Sequence, residues 1–393
     1  MTMPHATAPD FWPQALRLAE QAVGLTDPNP RVGCVIVAPD GRTVLAQGHT
    51  QAAGQAHAEA AALQQAAARG IDVRGATAWV TLEPCAHHGR TPPCCDALVR
   101  AGIASVHVAT GDPNPLVNGQ GTARLRAAGI AVHAAPPEVE AAARELNIGF
   151  FHRMRTGRPW VRLKIAASLD GLTALPDGQS QWITGEAARV DGHAWRRRAG
   201  AVLTGSGTVL ADDPLLDVRH VPTARQPRRA VIDGALRTPP GARMLAPARA
   251  DAALPGAAAL PLRIYTTNGA LDGAGDRAAA LRAAGAELRP VRGLDHRDGH
   301  ALPQLDLAAV IDDLGQWPVN ELHVEAGAGL NGALLAADLV DELLVYLAPC
   351  LLGQGRGMSG LGPLASLAER VALQWHSITP VGSDLRLLAR RVR

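Results

Sequence analysis

The chain has 393 residues, which at roughly 100 to 200 residues per domain predicts two or three domains, each with its own core. Hydrophobic residues make up 47% and charged residues 19%, a globular composition that excludes a disordered, collagen-like or coiled-coil chain. Lys plus Arg number 38 against 36 Asp plus Glu, too even a balance for general attraction to nucleic acid or an anionic membrane.

The chain then reads in order. A helical pattern near Phe11 to Gly24 leads into the apolar run Val32 to Ala38, which Asp40-Gly41 closes and Thr43 to Gly48 answers. Two such runs about a turn predict a hairpin. His57 to Gly70 is rich in helix formers and ends on glycine, and Thr77 to Leu82 returns to strand residues. A helix near Cys95 to Ala101, a strand at Ser105 to Ala109, and helices near Thr122 to Ala128 and Glu138 to Arg153 continue the alternation. The first domain is therefore expected to be an α/β layered structure over residues 1–154.

Arg155 to Pro159 breaks the helical pattern with Gly and Pro, and Trp160 to Ala167 starts a new strand. Strand-like runs at Gly200 to Leu203, Arg229 to Ile232, Leu262 to Thr266, Glu321 to Glu325 and Leu343 to Leu347 alternate with Ala-rich helical stretches. They predict a second α/β domain over residues 159–393, closed by a hairpin within Val371 to Val392. Ala246 to Pro261 reads as loop or weak helix. The longest apolar stretches, such as Glu342 to Gly353, fall short of the ~20 residues that span a bilayer. No secretory signal is visible at the N-terminus, so the expected location is the cytoplasm.

Five cysteines are present, and Cys85, Cys94 and Cys95 lie within eleven residues, which suits a metal site in a reducing compartment better than a disulfide framework. His57-Ala58-Glu59 opens one helix, and Pro84-Cys85, followed by Cys94, lies just past the next strand. His and Cys are good zinc ligands, and a catalytic zinc takes three protein ligands and keeps one position for water. Zinc lowers the pKa of that water towards ~7, and a nearby carboxylate can carry protons between water and substrate. Glu59 is placed for this shuttle. Residues i and i+2 do not share a helix face, so His57 must sit at the irregular first turn if both are to address one site. The zinc-deaminase signature pairs H-x-E with P-C-x-x-C; here eight residues, AHHGRTPP, separate the cysteines. Cys95, His87 and His88 remain rival ligands on these grounds.

In the second domain the strand-like Glu321 to Glu325 runs into Ala326-Gly327-Ala328-Gly329-Leu330-Asn331-Gly332 and then a helical pattern. This is a G-x-G-x-x-G between strand and helix, where bare backbone N–H groups can approach a pyrophosphate. The acidic residue expected about 20 positions on is missing, so a standard Rossmann ribose contact is not supported. Thr204-Gly205-Ser206-Gly207-Thr208 offers a second set of small residues at a strand end. Tight turns explain either cluster alone equally well; their pairing favours phosphate binding. Lys164 is the only lysine in the chain, and a compact ammonium retained among guanidinium groups hints at a specific contact.

The strings DPNPRVGCVIV, HAEAAAL, TLEPCAHHGRTPPC, LKIAASLDG, SQWITG, TVLADDPLL and VEAGAGLNGALL, in this order, closely resemble the bifunctional deaminase/reductase family of riboflavin biosynthesis over nearly the full length. The resemblance implies a cytidine-deaminase-like α/β/α layered first domain and a dihydrofolate-reductase-like α/β second domain. It selects His57, Cys85 and Cys94 as ligands of one zinc, assigns Glu59 to proton transfer, and explains the eight-residue spacer. The implied reactions are hydrolytic deamination of 2,5-diamino-6-(5-phosphoribosylamino)pyrimidin-4-one and NADPH reduction of the product's ribosyl group to a ribityl chain. Matching positions place Asn29 and Arg90 at the deaminase substrate. At NADPH they place Ala166, Trp182, Thr208, Asp212 and the stretch Gly327, Ala328, Gly329, Leu330, Asn331, Gly332 and Ala333. At the reductase substrate they place Lys164, Ser180, Arg196, Leu216, Arg219 and Glu325.

Two other readings compete. A nucleic-acid base deaminase shares the zinc chemistry but wants a basic, aromatic-bearing surface, and aromatic residues are 3% of this chain. A zinc-containing binding module would not need the extra carboxylate of Glu59. The expected partners are thus small phosphoribosylaminopyrimidines, with no nucleic acid and no membrane; homo-oligomerisation stays open.

Overall fold

The computed structural model describes residues 10–87, 92–114, 117–245, 262–294 and 304–392. The chain divides into two units, Met1–Thr156 and Gly157–Arg393.

In the first unit the elements are α1 (Trp12–Gln21), β1 (Gly33–Val37), β2 (Val44–His49), α2 (Ala58–Ala68), β3 (Thr77–Val80), α3 (Cys94–Arg100), β4 (Ser105–Val108), α4 (Gln120–Ala127), β5 (Ala131–Ala134), α5 (Pro137–Leu146) and α6 (Ile148–Thr156). The sheet order is β2-β1-β3-β4-β5. β1 pairs antiparallel with β2 and β3, and β3, β4 and β5 run parallel. Every residue of β1 is buried, because both faces are covered. Cys34 and Ile36 pack with Ala62 and Leu98 from α2 and α3, while Val35 and Val37 pack with Trp12 and Ala15 of α1. An unbroken apolar run is what a doubly covered strand requires.

Gly48 sets where α2 can lie. A Cβ on it would stand 2.7 Å from the Ala58 carbonyl oxygen and 2.6 Å from the Ala62 nitrogen, so any side chain there would push the first turn of α2 off β2. That turn carries the chemistry described below. The helix expected over Glu138 to Arg153 is two helices, α5 and α6, parted at Asn147. The Asn147 side chain accepts from Arg31 N at 2.7 Å and donates to Arg31 O at 2.9 Å, satisfying buried backbone groups that a continuous helix would leave unpaired. β5 has no counterpart in the sequence expectations: three of its four residues are exposed, so it shows no apolar alternation and is held by pairing with β4.

The second unit contains β6 (Trp160–Ser168), β7 (Leu172–Ala174), α7 (Glu186–Arg198), β8 (Ala201–Gly205), α8 (Ser206–Asp212), β9 (Arg228–Ile232), β10 (Leu262–Thr266), α9 (Asn268–Gly273), α10 (Gly275–Ala283), β11 (Ala286–Pro290), β12 (Gly293–Leu294), β13 (Gln304–Leu305), α11 (Leu307–Gln316), β14 (Glu321–Val324), α12 (Ala328–Ala336), β15 (Glu342–Ala348), β16 (Arg356–Gly357), β17 (Leu373–Val381) and β18 (Asp384–Arg391). Nine strands form one sheet in the order β11-β10-β9-β8-β14-β6-β15-β18-β17. The strands from β11 to β15 are parallel, and the terminal hairpin β17–β18 adds antiparallel to β15. Helices α11 and α12 cover one face through Ile311, Leu314 and Leu334, and α8 and α10 cover part of the other through Val209, Ala278 and Leu281.

This strand order positions a ligand. The chain steps outward from β8 to β11, returns to insert β14 between β8 and β6, and then crosses to β15. Parallel sheets bind ligands beyond the C-terminal strand ends where the winding direction reverses. Here those ends belong to β6, β14 and β8. At the other end of the same strands Arg162 is buried and donates to Glu321 at 2.9 Å and Glu342 at 2.5 Å, and Arg198 and Arg390 pair with the same two carboxylates at 2.7 and 2.9 Å, so that both buried anions are compensated. The Ala246 to Pro261 stretch lies outside the described residues. Among the described residues no helix is long and apolar enough to cross a membrane.

Candidate active sites

In the first unit one ligand atom each from His57, Cys85 and Cys94 lies within 4.8 Å of the others. His57 is the N-cap of α2, with extended backbone (φ −72°, ψ 168°). It therefore leaves the helical repeat, and its ring reaches the same place as Glu59 in the first turn. Cys94 opens α3, and its backbone N–H donates to Cys85 Sγ at 3.3 Å. Cys85 Sγ and Cys94 Sγ stand 3.6 and 3.4 Å from His57 Nδ1. A tetrahedral zinc with bonds of about 2.3 Å to sulfur and about 2.0 Å to nitrogen sets such ligands about 3.6 Å apart. The three side chains thus fit one zinc.

The charges make the same point. The hydrogen bond from Cys94, with help from His57, holds the Cys85 thiol at about 4. That hydrogen bond and burial push Cys94 upward, and the bond to Cys85 raises His57. Two thiols so close can both ionise only beside a cation. Glu59 is 3% exposed, and burial, reinforced by the Cys85 charge, raises its carboxyl to about 7.

The rival ligands fall away or out of sight. Cys95 is buried on the other side of its turn, donating to the carbonyls of Pro84 at 3.2 Å and Gly121 at 3.5 Å. His87 is not among the grouped ligand atoms, and His88 and Arg90 lie outside the described residues. Asn29 sits in the turn between α1 and β1, where its carbonyl accepts from Thr26 Oγ1 at 3.1 Å. Sequence reasoning passed over Glu83. Its buried carboxylate accepts from the backbone N–H groups of Asp112 at 3.3 Å, Gly119 at 3.0 Å and Thr122 at 3.0 Å. It thereby ties the segment after β4 to the strand end that carries Cys85. The signal was present in Glu83-Pro84-Cys85, an acid beside a ligand.

In the second unit a cavity of about 690 Å³ opens at the strand ends singled out above. It is lined by Lys164 and Ala166 of β6, Ser180 and Trp182, Thr208 and Asp212 of α8, Glu325 at the end of β14, and Gly327, Ala328, Gly329, Leu330 and Asn331. A Cβ added at Gly207, Gly327 or Gly329 would meet no protein atom within 4 Å; the glycines leave room for a ligand to approach the backbone. Asn331 is buried, and its Oδ1 has no partner among the described residues. Bare amides at the start of α12 and an unpaired acceptor fit a nucleotide cofactor.

Glu325 and Lys164 form the polar end. Burial would raise Glu325, but Arg196, which grips both carboxylate oxygens, and Lys164 bring it well below the ordinary range. Burial lowers Lys164, Arg196 adds to this, and Glu325 opposes it. Arg196 also donates to Asp217 O at 2.9 Å. It is absent from the cavity lining and acts on it through Glu325. Leu216 is buried, Arg219 pairs with Asp217 at 2.8 Å, Gly332 packs against the backbone of Gly360, and Ala333 is exposed; none of these four lines the cavity. Arg189 and Arg356 do line it, and no sequence signal marked them. Arg189 stacks over the exposed Trp182 ring at 4.5 Å.

Comparison with known proteins identifies the two units. Residues 7–110 match the cytidine and deoxycytidylate deaminase zinc-binding region, and residues 159–387 match the RibD C-terminal domain. The riboflavin biosynthesis protein RibD of Escherichia coli is 43% identical over 390 residues, covering 96% of this chain and 97% of its own. The chain belongs to the RibD family. It is a bifunctional riboflavin-biosynthesis enzyme with a zinc-binding deaminase domain and a reductase domain. A solved RibD of Acinetobacter baumannii has 38% identity and a TM-score of 0.81, covering 98% of both chains. A Thermotoga maritima protein described as a diaminohydroxyphosphoribosylaminopyrimidine deaminase/5-amino-6-(5-phosphoribosylamino)uracil reductase has 29% identity and a TM-score of 0.81, covering 97% of this chain and 98% of its own.

Proposed function

We propose that the first unit hydrolytically deaminates 2,5-diamino-6-(5-phosphoribosylamino)pyrimidin-4-one and that the second reduces the product's ribosyl group to an open ribityl chain with NADPH. The observation that carries this reading is the joint presence of a zinc-spaced triad beside buried Glu59 and a glycine-walled cavity ending in Lys164 and Glu325. The Thermotoga relative, described as a diaminohydroxyphosphoribosylaminopyrimidine deaminase and a 5-amino-6-(5-phosphoribosylamino)uracil reductase, supports this choice of substrate class.

His57, Cys85 and Cys94 would hold the metal, which supplies an acidified water as nucleophile. Glu59 then does the proton work. Its carboxylate takes one proton of the attacking water and delivers it to the departing amine, and the remaining hydroxyl proton passes to the ring nitrogen, so that ammonia leaves and a carbonyl remains on the ring. Asn29 and Arg90 orient the pyrimidine and its phosphate.

In the second unit Ala166, Trp182, Thr208, Asp212 and Gly327 to Asn331 hold NADPH, the source of the hydride. Lys164, Ser180 and Glu325 hold the substrate, and Arg196 fixes the Glu325 carboxylate from behind. Glu325, kept ionised by Arg196, is an acceptor for a ribosyl hydroxyl, and Lys164 is the matching donor; their work is to orient the sugar for hydride attack. We place the enzyme in the cytoplasm, a reading supported by its five cysteines, none of which is in a disulfide.

A coupled assay tests the proposal. With the diaminopyrimidine, the purified chain is expected to carry zinc, release ammonia and then oxidise NADPH. Failure to oxidise NADPH when given the deaminated intermediate directly would refute the second half.

A further inference from the structure

We infer that His323 is a positioning residue for Glu325: it fills the second acceptor site of one carboxylate oxygen and so leaves the other oxygen to receive the sugar hydroxyl. The inference rests on reading Lys164 and Glu325 as the substrate end of the cavity. Residues along β14 alternate between the two faces of the sheet. Leu322 and Val324 join the core that α11 and α12 cover. Glu321, His323 and Glu325, which follows the strand, take the opposite face, where Glu321 pairs with Arg198 and Glu325 with Arg196, both on α7. His323 lies between these two ion pairs and is fully buried. Its neighbour across the register is Arg162 of β6, whose guanidinium stacks over Trp195 of α7 at 4.4 Å.

A buried imidazole is costly unless its N–H finds an acceptor. His323 Nε2 stands 3.2 Å from Glu325 Oε1, within hydrogen-bond reach though not aligned with it, and neither ring nitrogen has another partner among the described residues. A carboxylate offers about four acceptor sites, two on each oxygen. Arg196 takes one on each: its Nε donates to Oε1, and its second terminal nitrogen donates to Oε2 at 2.8 Å. With the His323 N–H turned into line, Oε1 is filled and Oε2 alone keeps a free site. Glu325 lines the cavity, so that site is the one a ligand hydroxyl meets.

The surroundings also keep this donor uncharged. Burial lowers the proton affinity of His323, Arg162 and Arg196 add to this, and Glu325 opposes it. Two cations, Lys164 and Arg196, already face the one Glu325 carboxylate, so a third charge is disfavoured. A neutral imidazole carries one N–H, and the acceptor beside Nε2 selects the tautomer that bears it there. His323 thus adds direction to Glu325 without adding charge.

Steady-state kinetics of the full chain on 5-amino-6-(5-phosphoribosylamino)uracil test the assignment, beside calorimetric titration with NADPH and ammonia release by the first unit. Glutamine places its amide nitrogen near the Nε2 position, and asparagine places its own near Nδ1. H323N and H323L are expected to lower reductase kcat about 10-fold, with NADPH affinity and ammonia release unchanged. H323Q, which restores the donor to Oε1, is expected to recover most of that loss. Wild-type kcat in H323N and H323L would overturn the inference, as would a better recovery in H323N than in H323Q. Loss of NADPH affinity together with kcat would overturn it too, because that marks a collapsed cavity rather than a misdirected carboxylate. E325Q isolates the underlying reading: full reductase activity in that variant would remove the substrate from Glu325 and the inference with it, whereas an impaired E325Q beside an unimpaired H323L would refute the part given to His323 alone.

Discussion

The metal cluster of the first unit and the cavity of the second spend sequence differently. All three zinc-spaced ligands and Glu59 fall within residues 57–94, at the first turns of two helices and the end of one strand. The cavity draws on residues from Lys164 to Arg356 and relies on missing side chains as much as on present ones. Metal ligation needs a few side chains of restricted type at bond distance, so it concentrates. A dinucleotide is long and is met largely by backbone, so its site spreads along strand ends.

The sharpest break would come from a ligand. Cys85→Ser should leave the chain without stoichiometric zinc and without detectable ammonia release, while NADPH oxidation on the deaminated intermediate continues; metal analysis and the two assays separate these outcomes. Were both activities to vanish together in a folded variant, the two sites would not be chemically independent. Glu59→Gln should be milder but still severe, cutting ammonia release by about 10²- to 10⁴-fold with zinc content intact. Retained deamination would remove Glu59 from the proton path. Gly327→Val should act least. Gly327 has ordinary backbone angles (φ −77°, ψ 170°) and open space at its Cβ position, so the thermal midpoint should hold while NADPH affinity falls roughly ten-fold, or ~1.4 kcal/mol. An unchanged affinity would mean that Gly327 does not face the cofactor.

Legibility differed for the same reason that construction did. His57, Glu59 and the Pro84-Cys85 pair could be found because zinc chemistry admits few residue types. Choosing Cys94 over Cys95 could not be done from spacing. The family resemblance selected Cys94, and the structure supplies a physical reason in the Cys95 thiol turned towards the Pro84 carbonyl. In the second unit the glycine pattern after β14 was visible, yet a pattern cannot say which glycine faces a ligand: Gly327 and Gly329 open onto the cavity, whereas Gly332 is spent on close packing against Gly360. Arg356 reaches the cavity from a two-residue strand, a contact that depends wholly on tertiary placement. β5 escaped notice because an exposed edge strand carries no apolar periodicity.

The amino-acid order alone determined the alternation of strands and helices, the three ligand types with their carboxylate, and the glycine-rich strand end, because each is a local matter of propensity, turn chemistry or residue identity. Tertiary structure decided which thiol joins the imidazole, which arginine holds Glu325 and which distant segments wall the cavity. Those outcomes follow from strand order and helix approach, which bring together groups far apart in the chain, and no local pattern encodes that distance.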